Sequence, residues 1–154
     1  MNLARDMECI GNEILNLFNT TKFTACLTSI TVEKGNDFIL DNFASIKYGW
    51  ADMEAELPAL YVMGLREELI RDDGQGRWMT FRFAIEVYDT GDDPQNLEKK
   101  LNRYARAVSE ALLAEYKADG TIQAVEYSPV LKNADNLYKV CSVQFSLKIF
   151  QDLT

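Results

Sequence analysis

Carboxylates are the side chains this sequence gathers most densely, and three groups of them could do chemistry. Asp89, Asp92 and Asp93 fall within five residues and offer the hard oxygen ligands that hold Mg²⁺ or Ca²⁺. Their spacing is not that of an EF-hand loop, and Asp93 ahead of Pro94 reads instead as the cap of a helix, with its neighbours near the positive end of the dipole. Asp72-Asp73-Gly74-Gln75-Gly76 has the glycines of a phosphate-cradling loop. Two acids would repel a phosphate, no Lys-Ser/Thr pair follows, and strands lie on both sides, so the segment reads as a hairpin tip. Glu67 with Glu68, or Glu54 with Glu56, would be a carboxylate pair for glycosidic cleavage, but acids that close on an extended chain point into solvent.

Other catalytic inventories are thin. The chain has no histidine, which removes Ser-His and Cys-His nucleophile pairs, His-containing zinc sites and the side chain that ordinarily titrates near neutrality. Its three cysteines, Cys9, Cys26 and Cys141, form no CxxC, sit in apolar patterns and read as reduced core residues. Cys141, near a strand start, is the one nucleophile candidate among them. Asp6, Glu8 and Glu13 interrupt the N-terminal segment, so no signal peptide is expected, and no run approaches the roughly 20 apolar residues of a membrane span. The expectation is a reduced, cytoplasmically made protein with no membrane, cofactor or metal.

The elements that would position these residues follow from periodicity. Leu3, Met7, Ile10, Ile14, Leu17 and Phe18 recur at helical spacing up to Asn19-Thr20. Lys22 to Lys34 fits a helix through Phe23, Leu27 and Ile30, and its threonines fit a strand; helix is the preferred reading. After Gly35-Asn36-Asp37, residues Phe38 to Glu56 show no period and read as a long extended connection. Pro58 to Gly64, extended by Leu65 to Arg71, and Arg77 to Asp89, with Met79, Phe81, Phe83, Ile85 and Val87 on one face, make a long hairpin around the Asp72–Gly76 tip. A helix from Pro94 to about Lys117 carries Leu97, Leu101, Tyr104, Val108 and Leu112, and Asp119-Gly120 should end it. Ile122 to Ser128 and Leu137 to Gln151 are two further strands, separated by turn chemistry from Pro129 to Asn136.

One domain is expected from 154 residues with 47% hydrophobic and 26% charged content. The element order predicts an α+β fold, a mainly antiparallel sheet with long hairpin strands and helices packed on one face. A net charge of −8 argues against reading nucleic acid. Within Asp41 to Asp73 eight acids face three bases, either an ordinary solvated face or a surface that repels something anionic. Tyr48, Trp50 and Trp78 fall outside the clearest core patterns and are either core or contact residues.

The order Lys47-Tyr48-Gly49, Leu57-Pro58-Ala59-Leu60-Tyr61-Val62-Met63-Gly64, a Gly-containing hairpin, and Phe81-Arg82-Phe83-Ala84-Ile85-Glu86-Val87 carries a resemblance. Thr90-Gly91-Asp92-Asp93-Pro94, Leu97-Glu98-Lys99-Lys100-Leu101, Arg103-Tyr104-Ala105-Arg106-Ala107, Tyr127-Ser128-Pro129 and a long final strand complete it. The chain from about residue 3 to 150 resembles the tail terminator, or tail completion, proteins of long-tailed bacteriophages and prophage-derived tails; Phe23 to Asn42 matches least. The resemblance implies a virion protein assembled in the bacterial cytoplasm as a homo-oligomeric ring, commonly a hexamer, on the head-proximal end of the tail tube. Its partners would be itself, the tube protein and a neck or head-completion protein, with DNA passing through the lumen unread. It implies no catalytic residue. Asp72, Asp73, Gly74, Gln75, Gly76 and Trp78 at the hairpin tip, and Asp89, Asp92 and Asp93 at the helix entry, are the candidate assembly contacts. A connector adaptor of the same neck and a monomeric module that binds a peptide along a strand edge are the alternatives.

Overall fold

The computed structural model describes residues 5–49 and 55–152. Helix α1, Met7–Leu17, starts where the Asp6 carboxylate accepts the Cys9 N–H at 2.8 Å, and buries Ile10 and Ile14. Helix α2, Thr21–Glu33, is capped by Thr20 and buries Phe23, Leu27 and Ile30. Its threonines are compatible with a helix because the hydroxyls of Thr24, Thr28 and Thr31 each donate to the carbonyl four residues back, at 3.0–3.2 Å. Helix α3, Pro94–Tyr116, opens with Asp93 accepting the Gln95 N–H at 2.9 Å, as its sequence predicts.

The sheet runs β1-β2-β3-β6-β4, with β5 beside β6. Strands β2, Ala59–Asp72, and β3, Gly76–Gly91, form the long hairpin, and β3 pairs with β6, Asn136–Asp152, along its whole length. Strand β4, Gly120–Tyr127, closes the far edge antiparallel to β6. Phe81, Phe83, Ile85 and Val87 alternate inward beside Cys141, Val143, Phe145 and Leu147, and these rows meet Leu101, Tyr104, Val108 and Leu112 of α3. The α+β class with helices against the sheet is the observed architecture.

Two expectations change. The Phe38–Glu56 connection contains strand β1, Ser45–Tyr48, which pairs parallel with Ala59–Val62, and it is anchored ahead of that strand. Phe43 stacks on Phe23 and touches Tyr104, the Tyr104 hydroxyl donates to the Asp41 carbonyl at 2.7 Å, and Arg103 clamps Asp37 through two hydrogen bonds while lying over the Phe38 ring. Single anchors that meet distant partners leave no period in a sequence. The Pro129–Asn136 turn includes strand β5, Leu131–Asn133, a short arm hairpinned onto β6. The end of α3 agrees with the sequence: the helix stops at Tyr116, and a 3-10 turn over Lys117–Asp119 leads into Gly120. Gly120 begins β4 with ordinary extended angles; its lack of a side chain serves packing, since a Cβ there would stand 2.7 Å from the Phe145 ring.

Candidate functional site

The candidate contacts fall at the two ends of β3. At the hairpin tip the acids build the turn: Asp72 accepts the Gly74 N–H at 2.9 Å, Asp73 accepts the Gly76 N–H at 3.2 Å, and Gly74 has a φ of 85°, the left-handed region where a side chain is strained. Gly76 is buried, with no room for a Cβ beside Phe150. Trp78 leans on Phe150, ring centroids 5.3 Å apart, with the Lys148 ammonium 4.9 Å from its ring. Asp72, Asp73, Gly74 and Gln75 remain exposed around this scaffold.

At the opposite end Asp89, Asp92 and Asp93 do not converge. Asp93 caps α3, Asp92 points to solvent, and Asp89 is buried on the helix face of the sheet. One Asp89 oxygen takes the Thr90 N–H; the other lies 2.8 Å from Lys100 Nζ in an ion-pair contact without a directed hydrogen bond. Its cross-strand neighbour Lys139, also buried, pairs with Glu98 at 3.0 Å and donates to the Ser128 carbonyl. Alternating charges thus tie the start of α3 to the ends of β3 and β6. These groups neutralise one another, and among the described residues no group of three or more His, Cys, Asp or Glu side chains is placed to hold a metal ion.

The remaining sequence candidates disperse. Glu67 stands opposite Phe81 and Glu68 opposite Thr80, so the two carboxylates occupy opposite faces of β2 and cannot share a substrate. Glu54 lies outside the described residues, as do Asp52 and Trp50. Of the described acids of the Asp41–Asp73 segment, Glu67 and Glu68 lie on opposite faces of β2, and Asp72 and Asp73 shape the tip. Tyr48 packs over Gly11, where a Cβ would stand 2.0 Å from its ring, and its hydroxyl approaches Gly64.

The cysteines are not all core residues. Cys141 is buried, and desolvation pushes its thiol up to about 12, which removes it as a thiolate nucleophile at neutral pH. Cys26 is half-buried beside Glu110, and burial followed by that carboxylate raises its thiol. Cys9 is exposed, because it sits one position off the Ile10–Ile14 face of α1.

A cavity of about 350 Å³ lies on the helix-free face, walled by Leu57, Tyr61, Tyr88, Leu131 and Tyr138. Tyr61 and Tyr88 meet edge to face, and the Tyr88 hydroxyl donates to Glu86 at 2.8 Å; burial raises that phenol far above neutrality. Asp89 and Lys139 also line the cavity, each held in the ion pairs described above. No helix among the described residues is long and apolar enough to cross a membrane.

Sequence reasoning placed the outer half of β2 in the hairpin but missed its exposure. Beyond the four residues paired with β1, the segment Gly64–Asp72 is exposed, including Leu65, Leu69 and Ile70, and no described strand lies on its outer side. Leu65 and Ile70 are the extra residues of two β-bulges, at the register shifts between Gly64 and Arg66 and between Leu69 and Arg71. Apolar residues on both sides of a strand normally signal burial, so the sequence concealed this exposure.

No protein-family model matches the chain, and no curated protein matches it. Among solved structures it is similar, at 17% identity and a TM-score of 0.41, to a chain of a structure titled "Virion of native gene transfer agent (GTA) particle", over 86% of this chain and 99% of that one.

Proposed function

We propose that this chain is a structural, non-enzymatic virion protein of a phage-like particle, a tail terminator that forms a ring, commonly of six copies in the proteins it resembles, on the head-proximal end of the tail tube. The resemblance supplies the role, and one geometric observation supports it. The two candidate contact loops stand at opposite ends of β3, roughly 50 Å apart at about 3.3 Å per residue over its 16 residues. A subunit between tube and neck needs two unlike axial surfaces joined by a stiff body. Here the body is a strand hydrogen-bonded on both sides and buried along one face. Asp72, Asp73, Gly74, Gln75, Gly76 and Trp78 would meet one axial partner, and Asp92 and Asp93 the other, with Asp89 holding that loop from behind. The net charge of −8 suits a lumen through which DNA slides without adhering.

The test is assembly. Purified chain mixed with polymerising tube protein should decorate one end of each tube in negative-stain images and stop its lengthening. Binding to the portal side of heads, with tube ends left bare, would reassign the chain as a connector adaptor. A monomer that ignores both and saturates with a peptide would overturn the virion reading.

A further inference from the structure

Among the described residues, two edge segments of eight or nine residues have no strand on their outer side, and they match. One is Gly64–Asp72 of β2, nine residues; the other is β4, Gly120–Tyr127, eight residues. An uncovered edge exposes backbone N–H and C=O groups that pair with any strand of suitable length and sense. Because β2, β3, β6 and β4 alternate in direction, a second copy displaced sideways brings its β4 antiparallel to the first copy's β2 while both sets of helices stay on one side.

Register follows from charge and face. Arg66 lies opposite Arg82, on the helix-free face, and Glu126 lies opposite Ser142 on that same face. Setting Arg66 against Glu126 across the new edge places Glu68 against Ala124 and Leu65 beside Tyr127, and brings Ile70 to Ile122. A slip of two residues one way would set Glu68 against Glu126, a like-charge pair that opposes it, and the other way would set Glu126 against Gly64 and forfeit its partner. In that register Arg66–Glu68 meets Ala124–Glu126, a span regular on both strands, while the bulge residue Leu65 falls beside Tyr127 and Leu69 beside the bulge residue Gln123. Leu65, Ile70, Val125 and Tyr127, all exposed in the single chain, would then acquire neighbours.

We infer that copies of this chain join edge to edge, the outer half of β2 of one adding in antiparallel sense to β4 of the next, with Arg66 opposite Glu126. The inference rests on the ring reading above and specifies its lateral contact. Since the two edges differ, the contact is head-to-tail, the type that closes into a ring when the rotation from copy to copy divides a full turn.

Two variants break one edge each: Leu65→Lys with Ile70→Lys, and Val125→Lys with Tyr127→Lys. By light scattering on a sizing column, or on tube ends if the free wild type is monomeric, the wild type should give rings and each variant alone none. An equimolar mixture of the two should stop at dimers, because each variant keeps one intact edge. A second pair reads the register without apolar changes: Arg66→Glu alone and Glu126→Arg alone should each abolish rings, and the double variant should recover them. Circular dichroism and thermal melts within a few degrees of wild type establish folding. Rings that persist in every variant would overturn the edge contact and leave the ring reading standing; a wild type that forms none, free or on tubes, would overturn both.

Discussion

The two halves of β2 are one strand with one partner, yet they live in different surroundings. Ala59–Val62 are at most 1% exposed, whereas Leu65, Leu69 and Ile70 are 55%, 53% and 50% exposed. Both halves pair with β3, so hydrogen bonding to the hairpin partner does not separate them. The difference lies on the other side. The first half is flanked by β1 and Met7 of α1 reaches Gly64, while beyond that point no described element covers the strand. Burial in a sheet is conferred by second neighbours, and a strand that outruns them stays ordered while its side chains remain available for contact.

The largest effect is expected where the inner region is densest. Phe83, fully buried between Gly64 and Phe145, should cost about 3–5 kcal/mol when replaced by Ala, read from urea unfolding. Gly120→Ala comes next: the added methyl would press on the buried Phe145 ring and on Tyr116, for about 1–3 kcal/mol of overpacking. A stability equal to wild type there would mean that the β4–α3 junction is loose. Acid should act more locally. The Arg103 hydrogen bonds hold the Asp37 carboxyl below its ordinary value of about 3.9, so the clamp contributes above that pH and is lost as pH falls through the lowered value. Amide exchange should therefore rise first in residues 36–44 under acid, while β3 and β6 stay protected; simultaneous loss in both would contradict a local clamp. The smallest effect belongs to the outer region, where Leu69→Ser should change the stability of the isolated chain by no more than about 0.5 kcal/mol. If it unfolds the chain as Phe83→Ala does, the two halves of β2 are not distinct.

Much of the scaffold was legible in local order. Asp93-Pro94 announced α3, the alternation from Met79 to Val87 announced β3, and the Asp72–Gly76 tip announced the turn between the two long strands. Preference for a helix over Lys22–Lys34 agrees with α2, where hydroxyls satisfied within the helix reconcile the threonines with it. Hidden from the sequence were β1, whose parallel partner lies past an irregular segment, and the anchoring of Asp37, Asp41 and Phe43 on α3. The placement of Cys9 depended on which face α1 turns inward, and a shift of one position decided it. Of the candidate site, the turn and capping roles of Asp72, Asp73 and Asp93 were readable, because they involve residues at most three positions away.

By itself, then, the sequence determined period, caps and turns, since these arise from interactions within a few residues, and it excluded histidine chemistry by composition. Only the tertiary structure decided which apolar residues are covered and which carboxylates are neutralised. Leu60 and Leu69 are the same side chain on the same strand, and Asp89 and Asp92 differ by three positions in one loop. What separates each pair is a partner brought from far along the chain: α1 and β1 over Leu60, Lys100 against Asp89. Coverage and charge compensation depend on non-local neighbours, and no local pattern encodes them.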